Sequence, residues 1–358
     1  MSAVSGTVAP GYEPVAEAFA ATLDGAAGGA AFAAVVDGEP VLDLWGGDFV
    51  EDTLVLVFSG TKGVVATALL LLLERGLAEL DAPVARYWPE FGAAGKEGIL
   101  VRHVLGHTAG VPGLQPPFAA EQLLDQPVLA ERLAAEPALW PPGTRLAYHG
   151  HTFGVICGEL IRRIDGRRPG RFVAEEIAGP LELEFWIGLP EQLEPRVARL
   201  VAAPGYGLTY AGDGPGPLFD AIYGTGQLDF NDPRVHRAEI PSANGIGSAR
   251  ALARLYGSPL LQEAAIEELS RGTCAVTGRV YAFGHGFELW TELARLGPVR
   301  DAFGHTGSGG STHGAWPSLR TGFSHAPSEL RSESADERGP ALLRALHKCV
   351  TCAAAGPG

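Results

Sequence analysis

The stretch TLVLVFSGTKGVVATALLLLLERGLAEL, residues 53–80, decides how the chain folds. A short apolar run, Thr53 to Phe58, leads into a predicted helix from Thr61 to Leu80. The first three turns of that helix are apolar almost all round, with Val64, Val65, Ala66 and Ala68 followed by Leu69 through Leu73. A helix without a polar face is buried in the middle of a protein. Ser59 stands at its N-terminal edge, where the helix dipole favours negative charge.

Ser59-Gly60-Thr61-Lys62 is an S-x-x-K. Positions three apart share a helix face, with about 5–6 Å between Cβ atoms, so the Lys62 amine reaches the Ser59 hydroxyl. Burial disfavours an ammonium and lets Lys62 lose its proton near neutral pH. A weak hydroxyl nucleophile is then activated without a histidine. The competing reading makes Ser59 an N-cap and Lys62 a solvated first-turn residue, but a lysine at the positive end of a helix is unfavourable.

Working outward, Ala31 to Val36, Asp37-Gly38 and Val41 to Trp45 read as a hairpin on an Asp-Gly turn. An amphipathic helix is expected from about Val15 to Gly25, another from Gly245 to Gly257, and a last one from about Gly339 to Ala354. The tail 355–358 is expected to fray. Strand signals return at Val280 to Trp290 and Ala302 to Thr306. Between Pro83 and Glu239 helices alternate with Pro- and Gly-rich loops, at 112–117, 141–143 and 204–217. Strands at both ends with helices between them predict one sheet assembled from both termini, carrying an inserted, mostly helical lobe. The division expected is 1–62 with 241–358 as the α/β sheet lobe and 63–240 as the helical lobe, the active site lying between them.

The composition suits this. The chain has 358 residues, 46% hydrophobic and 19% charged, enough for a large core and unlike a disordered chain. Its net charge of −14 is scattered. No basic face is visible for nucleic acid. Lysine occurs only at Lys62, Lys96 and Lys348, although arginine otherwise supplies the positive charge. Four cysteines are too few for a disulfide framework. Cys349-x-x-Cys352 lacks a second pair and reads as part of a terminal helix. Residues 1–10 carry no secretory pattern, and the apolar run 63–73 is too short to span a bilayer. The chain therefore reads as soluble and cytoplasmic, with no membrane partner.

Two further motifs join the S-x-x-K. Tyr148-His149-Gly150 supplies a phenol that an adjacent ammonium could hold ionised for general acid–base work; alone, it reads as a core or loop aromatic. His305-Thr306-Gly307-Ser308-Gly309-Gly310-Ser311 follows a predicted strand, and its glycines allow close backbone approach to a ligand. The N–H groups of Ser308 and Ser59 form a possible oxyanion hole.

Taken together, and in this order, the three motifs resemble those of serine β-lactamases and penicillin-binding proteins. The chain looks like a class C β-lactamase-like protein, most similar to the family VIII carboxylesterases, from about Val35 to Cys349. Stretches such as Asp43-Leu44-Trp45-Gly46-Gly47, Tyr87-Trp88-Pro89-Glu90-Phe91 and Val101 to Gly110 share the resemblance. It implies the β-lactamase/transpeptidase-like α/β fold, an antiparallel sheet flanked by helices. By the same resemblance Ser59 carries the acyl group, Lys62 is its base, Tyr148 shuttles the proton, and the substrate oxygen sits at Ser59 and Ser308. No cofactor or metal is implied. Two departures stand out: Gly150 occupies a position where class C lactamases carry asparagine, and His305 stands where they carry lysine. Both positions serve lactam and carboxylate binding, so an ester without a carboxylate is the expected substrate.

His103 and His107, four apart, are read as structural, since a third metal ligand is not evident. His149 and His151 flank the expected pocket, Asn244 is expected to help shape the cleft, and His285 and His313 are unassigned. No G-x-S-x-G elbow is present. The alternatives to a small-molecule esterase are an acyltransferase using an amine or alcohol acceptor, a D-amino-acid amidase or weak β-lactamase, and a sensor that acylates once and stops. The sequence leaves the oligomeric state open.

Overall fold

A computed structural model describes residues 4–208 and 216–354. Part of the loop 204–217 and the tail 355–358 lie outside the described residues. The centre of the fold is a nine-stranded sheet. Its strands are β1 (Val4–Val8), β2 (Ala30–Val36), β3 (Glu39–Gly46), β4 (Ser270–Thr273), β5 (Val280–Gly284), β6 (Phe287–Leu289), β7 (Phe303–Thr306), β8 (Thr312–Trp316) and β9 (Thr321–Pro327). They lie in the order β1-β3-β2-β9-β8-β7-β6-β5-β4, every pair antiparallel. The β2–β9 ladder, from Val36 opposite Thr321 to Ala30 opposite Pro327, joins the two ends of the chain.

Local chemistry sets the turns. Asp37 (φ 51°) and Gly38 (φ 83°) turn the β2–β3 hairpin in the left-handed region, as a two-residue hairpin loop requires. The run 280–290, expected as one strand, is two. His285 (φ 49°) and Gly286 (φ 90°) fold it into the β5–β6 hairpin, which gives the unassigned His285 a place. Strands β1, β4, β8 and β9 are not expected from the sequence. Every residue of β8 and β9 is buried, so neither shows the alternation of a half-exposed strand. Strand β1 reaches β3 only because Gly6 has no Cβ; one there would meet the Asp43 carbonyl oxygen at 1.9 Å.

Successive residues of β2 serve opposite faces. Phe32 and Ala34 pack in a cluster with helix α1 (Glu13–Leu23) and with the C-terminal helix Arg338–Ala354, through Phe19, Leu342 and Leu346. Ala33 and Val35 pack with Ala249 and Ala253 of the helix Ala249–Gly257, the alternation a strand imposes. That last helix starts at 249, not 245. Ser248 caps it by accepting the Ala251 N–H at 3.3 Å, and Ile246–Gly247 is a short strand between Val55–Leu56 and Phe185–Trp186.

Helix α2 spans Gly60–Glu74 and ends six residues before the expected Leu80. Gly76 (φ 67°) stops it. The Gly76 N–H reaches Leu73 O and the Leu77 N–H reaches Leu72 O, both at 2.9 Å, a Schellman closure that satisfies the last carbonyls. The helix packs against β7 on one side and against α4 (Thr152–Asp165) on another. Between them in sequence lies α3 (Gln126–Ala135), whose C-terminus accounts for Lys96: the buried ammonium donates to the carbonyls of Ala93, Ala134 and Glu136. Three compact donors suit a lysine where a guanidinium fork would not. Among the described residues no helix is long and apolar enough to cross a membrane.

Candidate active site

The backbone entering α2 is bent before it becomes helical. Phe58 holds φ 46°, a conformation that costs a non-glycine residue of order 1 kcal/mol and persists only where the surroundings fix it. They do so here: Thr61 Oγ1 donates to Phe58 O at 2.6 Å and accepts the Gly245 N–H at 2.8 Å, and the Val57 N–H donates to Gly245 O at 2.9 Å. The start of α2 is thus tied to the loop 242–245. The same loop brings the Ser242 carbonyl to Lys62.

Lys62 is wholly buried, with Nζ 3.0 Å from Ser59 Oγ and 2.8 Å from Ser242 O. Burial lowers its pKa from 10.5 to about 7, although the field of Glu288 works the other way. The solvated-lysine reading therefore fails on geometry. Because the amine carries one lone pair and two N–H bonds when neutral, donation to Ser242 O leaves the lone pair free to face the Ser59 hydroxyl.

Tyr148 lies beside the Lys62 amine. The Lys62 Nζ stands 5.0 Å from its ring centroid, the ring stacks on His107 at 4.9 Å, and its backbone N–H meets Cys274 Sγ at 3.3 Å. Burial pushes the phenol well above its ordinary value, and neighbouring Tyr223 adds to the rise; a hydrogen bond with Ser59 works against both and loses. The expectation of an ionised tyrosine runs against these aromatic and apolar surroundings, which favour the neutral phenol.

The third motif reaches the site through glycine. A Cβ on Gly307 would meet Val57 O at 2.3 Å, so only glycine lets the end of β7 lie against the backbone preceding Ser59. Ser311 Oγ fastens the approach by donating to Val57 O at 3.1 Å. Among the described residues neither the Ser59 nor the Ser308 N–H donates to a backbone carbonyl, and the Ser308 hydroxyl is engaged by Tyr206 at 2.6 Å.

Three expected contact residues sit behind this arrangement. His305 is fully buried; its Nδ1–H donates to Thr306 O at 2.7 Å and lies 3.4 Å from Glu288. Burial lowers its pKa to about 3, with the Lys62 charge adding to the fall, so it is a neutral support. His149 is also buried, with Nδ1–H on Ala147 O at 2.6 Å and its backbone N–H on His107 Nδ1 at 3.0 Å. Asn244 does not shape the cleft with its side chain. It accepts the Ile240 N–H at 2.8 Å and donates to Val235 O at 2.7 Å and Ala238 O at 2.5 Å, which fixes the loop that carries Ser242. His313, unassigned by sequence, lies under Gly60, where a Cβ would meet its ring at 2.6 Å.

Residues that sequence reasoning missed belong to other elements: Ser242, which acts through its carbonyl; Glu288, which accepts the Thr306 hydroxyl at 2.9 Å; and Tyr206. Nothing local in the sequence marks a carbonyl or a long-range hydrogen bond. His151, expected beside the pocket, contacts Ser242 Oγ at 3.3 Å and meets the Tyr223 ring edge-on at 5.9 Å.

Residues 15–344 match the family described as Beta-lactamase. The chain is 35% identical to "Esterase/beta-lactamase LipL" of Mycobacterium tuberculosis, over 90% of this chain and 82% of that protein. Among solved structures, one described as a family VIII carboxylesterase is 33% identical with a TM-score of 0.89, covering 97% of this chain and all of the other. EstA from Arthrobacter nitroguajacolicus is 30% identical with a TM-score of 0.87, covering 98% and 100%.

Proposed function

The chain belongs to the beta-lactamase family, and we propose that within it the protein is a serine carboxylesterase working through an acyl-Ser59 intermediate. The observation that carries this reading is the buried, easily deprotonated Lys62 amine 3.0 Å from Ser59 Oγ. The esterases named above support it.

Neutral Lys62 takes the Ser59 proton as Oγ attacks the ester carbonyl carbon. The carbonyl oxygen gathers negative charge against the N–H groups of Ser59 and Ser308, aided by the N-terminus of α2. The C–O bond to the alcohol then breaks. The neutral Tyr148 phenol gives its proton to the departing oxygen and recovers one from the Lys62 ammonium, so the protein charge is unchanged. Water, deprotonated along the same route, releases the acid and restores Ser59.

The substrate is a small ester without a carboxylate on its acyl part. His305, at about 3, stays neutral across the working pH range and offers no cation. Thr306 spends its hydroxyl on Glu288. The four unpaired cysteines suit a reducing, cytoplasmic setting, and the cleft lies between the sheet lobe (1–62 with 241–358) and the helical lobe (63–240). Turnover of p-nitrophenyl acetate tests the reading: Ser59→Ala abolishes it, whereas near-full activity in that variant overturns it.

A further inference from the structure

Gly150, two residues after Tyr148, is not one of the glycines with positive φ, so φ alone does not call for a glycine there. The space beside it does. A Cβ there would meet Tyr223 Cε1 at 2.9 Å, Tyr223 Cζ at 3.4 Å and Ile222 Cγ2 at 2.9 Å. The glycine and the tyrosine ring are therefore complementary: the ring edge from Cε1 to Cζ occupies the space beside Gly150 where a side chain would otherwise project.

Tyr223 is held there. It ends the helix Pro217–Tyr223, which Gly224 (φ 79°) terminates. The Leu114 N–H donates to Ala221 O at 2.9 Å and the Thr225 N–H to Phe118 O at 2.8 Å, fixing the helix on both sides of the ring. Phe219 packs on it with centroids 4.6 Å apart. The Tyr223 phenol lies within electrostatic reach of the Tyr148 and Tyr281 hydroxyls, and the Tyr281 ring runs parallel to Tyr148 at 6.1 Å. Tyr223 is only partly buried, and so is Phe219. An aromatic surface thus extends from the proton-transferring phenol toward solvent.

We propose that Tyr223 is a specificity-determining residue: its ring forms the wall against which the acyl group of the ester lies, selecting planar apolar acyl groups such as benzoyl. Rings offer faces for stacking and no amide partner. Filling the space beside Gly150 also removes the place from which a polar side chain could hold an acyl-side amide. The proposal rests on the esterase reading of Ser59 and deepens it.

The test compares p-nitrophenyl benzoate with p-nitrophenyl acetate, which share a leaving group, and reads the ratio of their kcat/KM values. The ratio is expected to stay within about twofold in Tyr223→Phe and to fall about fivefold to tenfold in Tyr223→Leu, the scale of one lost aromatic contact. Gly150→Ala, which pushes the ring away from the other side, lowers the ratio as well and serves should Tyr223→Leu fail to fold. An unchanged ratio in these variants, in an enzyme whose turnover depends on Ser59, overturns the wall and leaves the esterase standing. A wild-type protein that cleaves neither ester overturns both.

Discussion

Lys62 Nζ stands 3.0 Å from Ser59 Oγ and, among the described residues, its other hydrogen-bond partner is the Ser242 carbonyl at 2.8 Å. Among the described residues no carboxylate forms an ion pair or hydrogen bond with the amine, and burial outweighs the field of Glu288 and brings its pKa to about 7. The reactive form is the amine. We predict that kcat/KM for a neutral ester rises through a single ionisation near pH 7 and levels off above it. Lys62→Arg keeps a charge that never titrates and costs about 10²- to 10⁴-fold. A profile flat from about pH 5 to 9 would remove Lys62 from the role of base.

Tyr148 is expected to work as an uncharged relay. Tyr148→Phe keeps the stack on His107 but loses the proton path, with a fall in kcat of about 10²-fold or more. In a spectroscopic titration, wild type and Tyr148→Phe should show the same tyrosinate absorbance up to about pH 10. Extra absorbance in the wild type at neutral pH would mean an ionised Tyr148 and a different mechanism.

Five histidines are buried to within 1% of complete: His107, His149, His305, His313 and His325. Burial lowers the pKa of each below 6.5, to about 4 for His149 and His325, about 3 for His305 and His313, and well below 6.5 for His107. Above pH 6.5 neither folded nor unfolded chain protonates them, and they add no pH dependence. As pH falls below 6.5 the unfolded chain binds protons that the folded chain refuses, so stability drops progressively toward pH 3–4. Each contributes up to about 1.4 kcal/mol per pH unit. Melting temperature is expected to fall between pH 6.5 and 5, before ordinary carboxylates titrate, and less so in His325→Gln. A melting temperature constant over that interval would contradict their burial as neutral rings.

Much of this arrangement is legible in the sequence, and the parts that are not share a cause. The Ser59–Lys62 pair is readable because three residues on a helix fix a distance. The Asp37-Gly38 hairpin is readable because its turn demands particular residues. Strands β8 and β9 are not, since burial on both faces erases their alternation. The roles of Ser242, through its carbonyl, and of Tyr223, against Gly150, depend on contacts made between distant segments. His305 and His149 carry the right chemistry in the right motifs, yet their side chains turn into the core, and only the packing around them shows it. Asn244 lies in the loop the sequence points to, but Ser242 of the same loop supplies the contact to Lys62.

Every step of the proposed reaction depends on Ser59 as the nucleophile of an amine-activated acyl transfer. The most direct test of that role is treatment of the intact protein with a p-nitrophenyl phosphonate ester, followed by mass measurement and peptide mapping. One phosphonyl group per chain is expected, located on Ser59, formed faster as pH rises through about 7 and absent in Ser59→Ala. Stoichiometric labelling of a peptide that does not contain Ser59, or unchanged labelling of Ser59→Ala, would contradict that role.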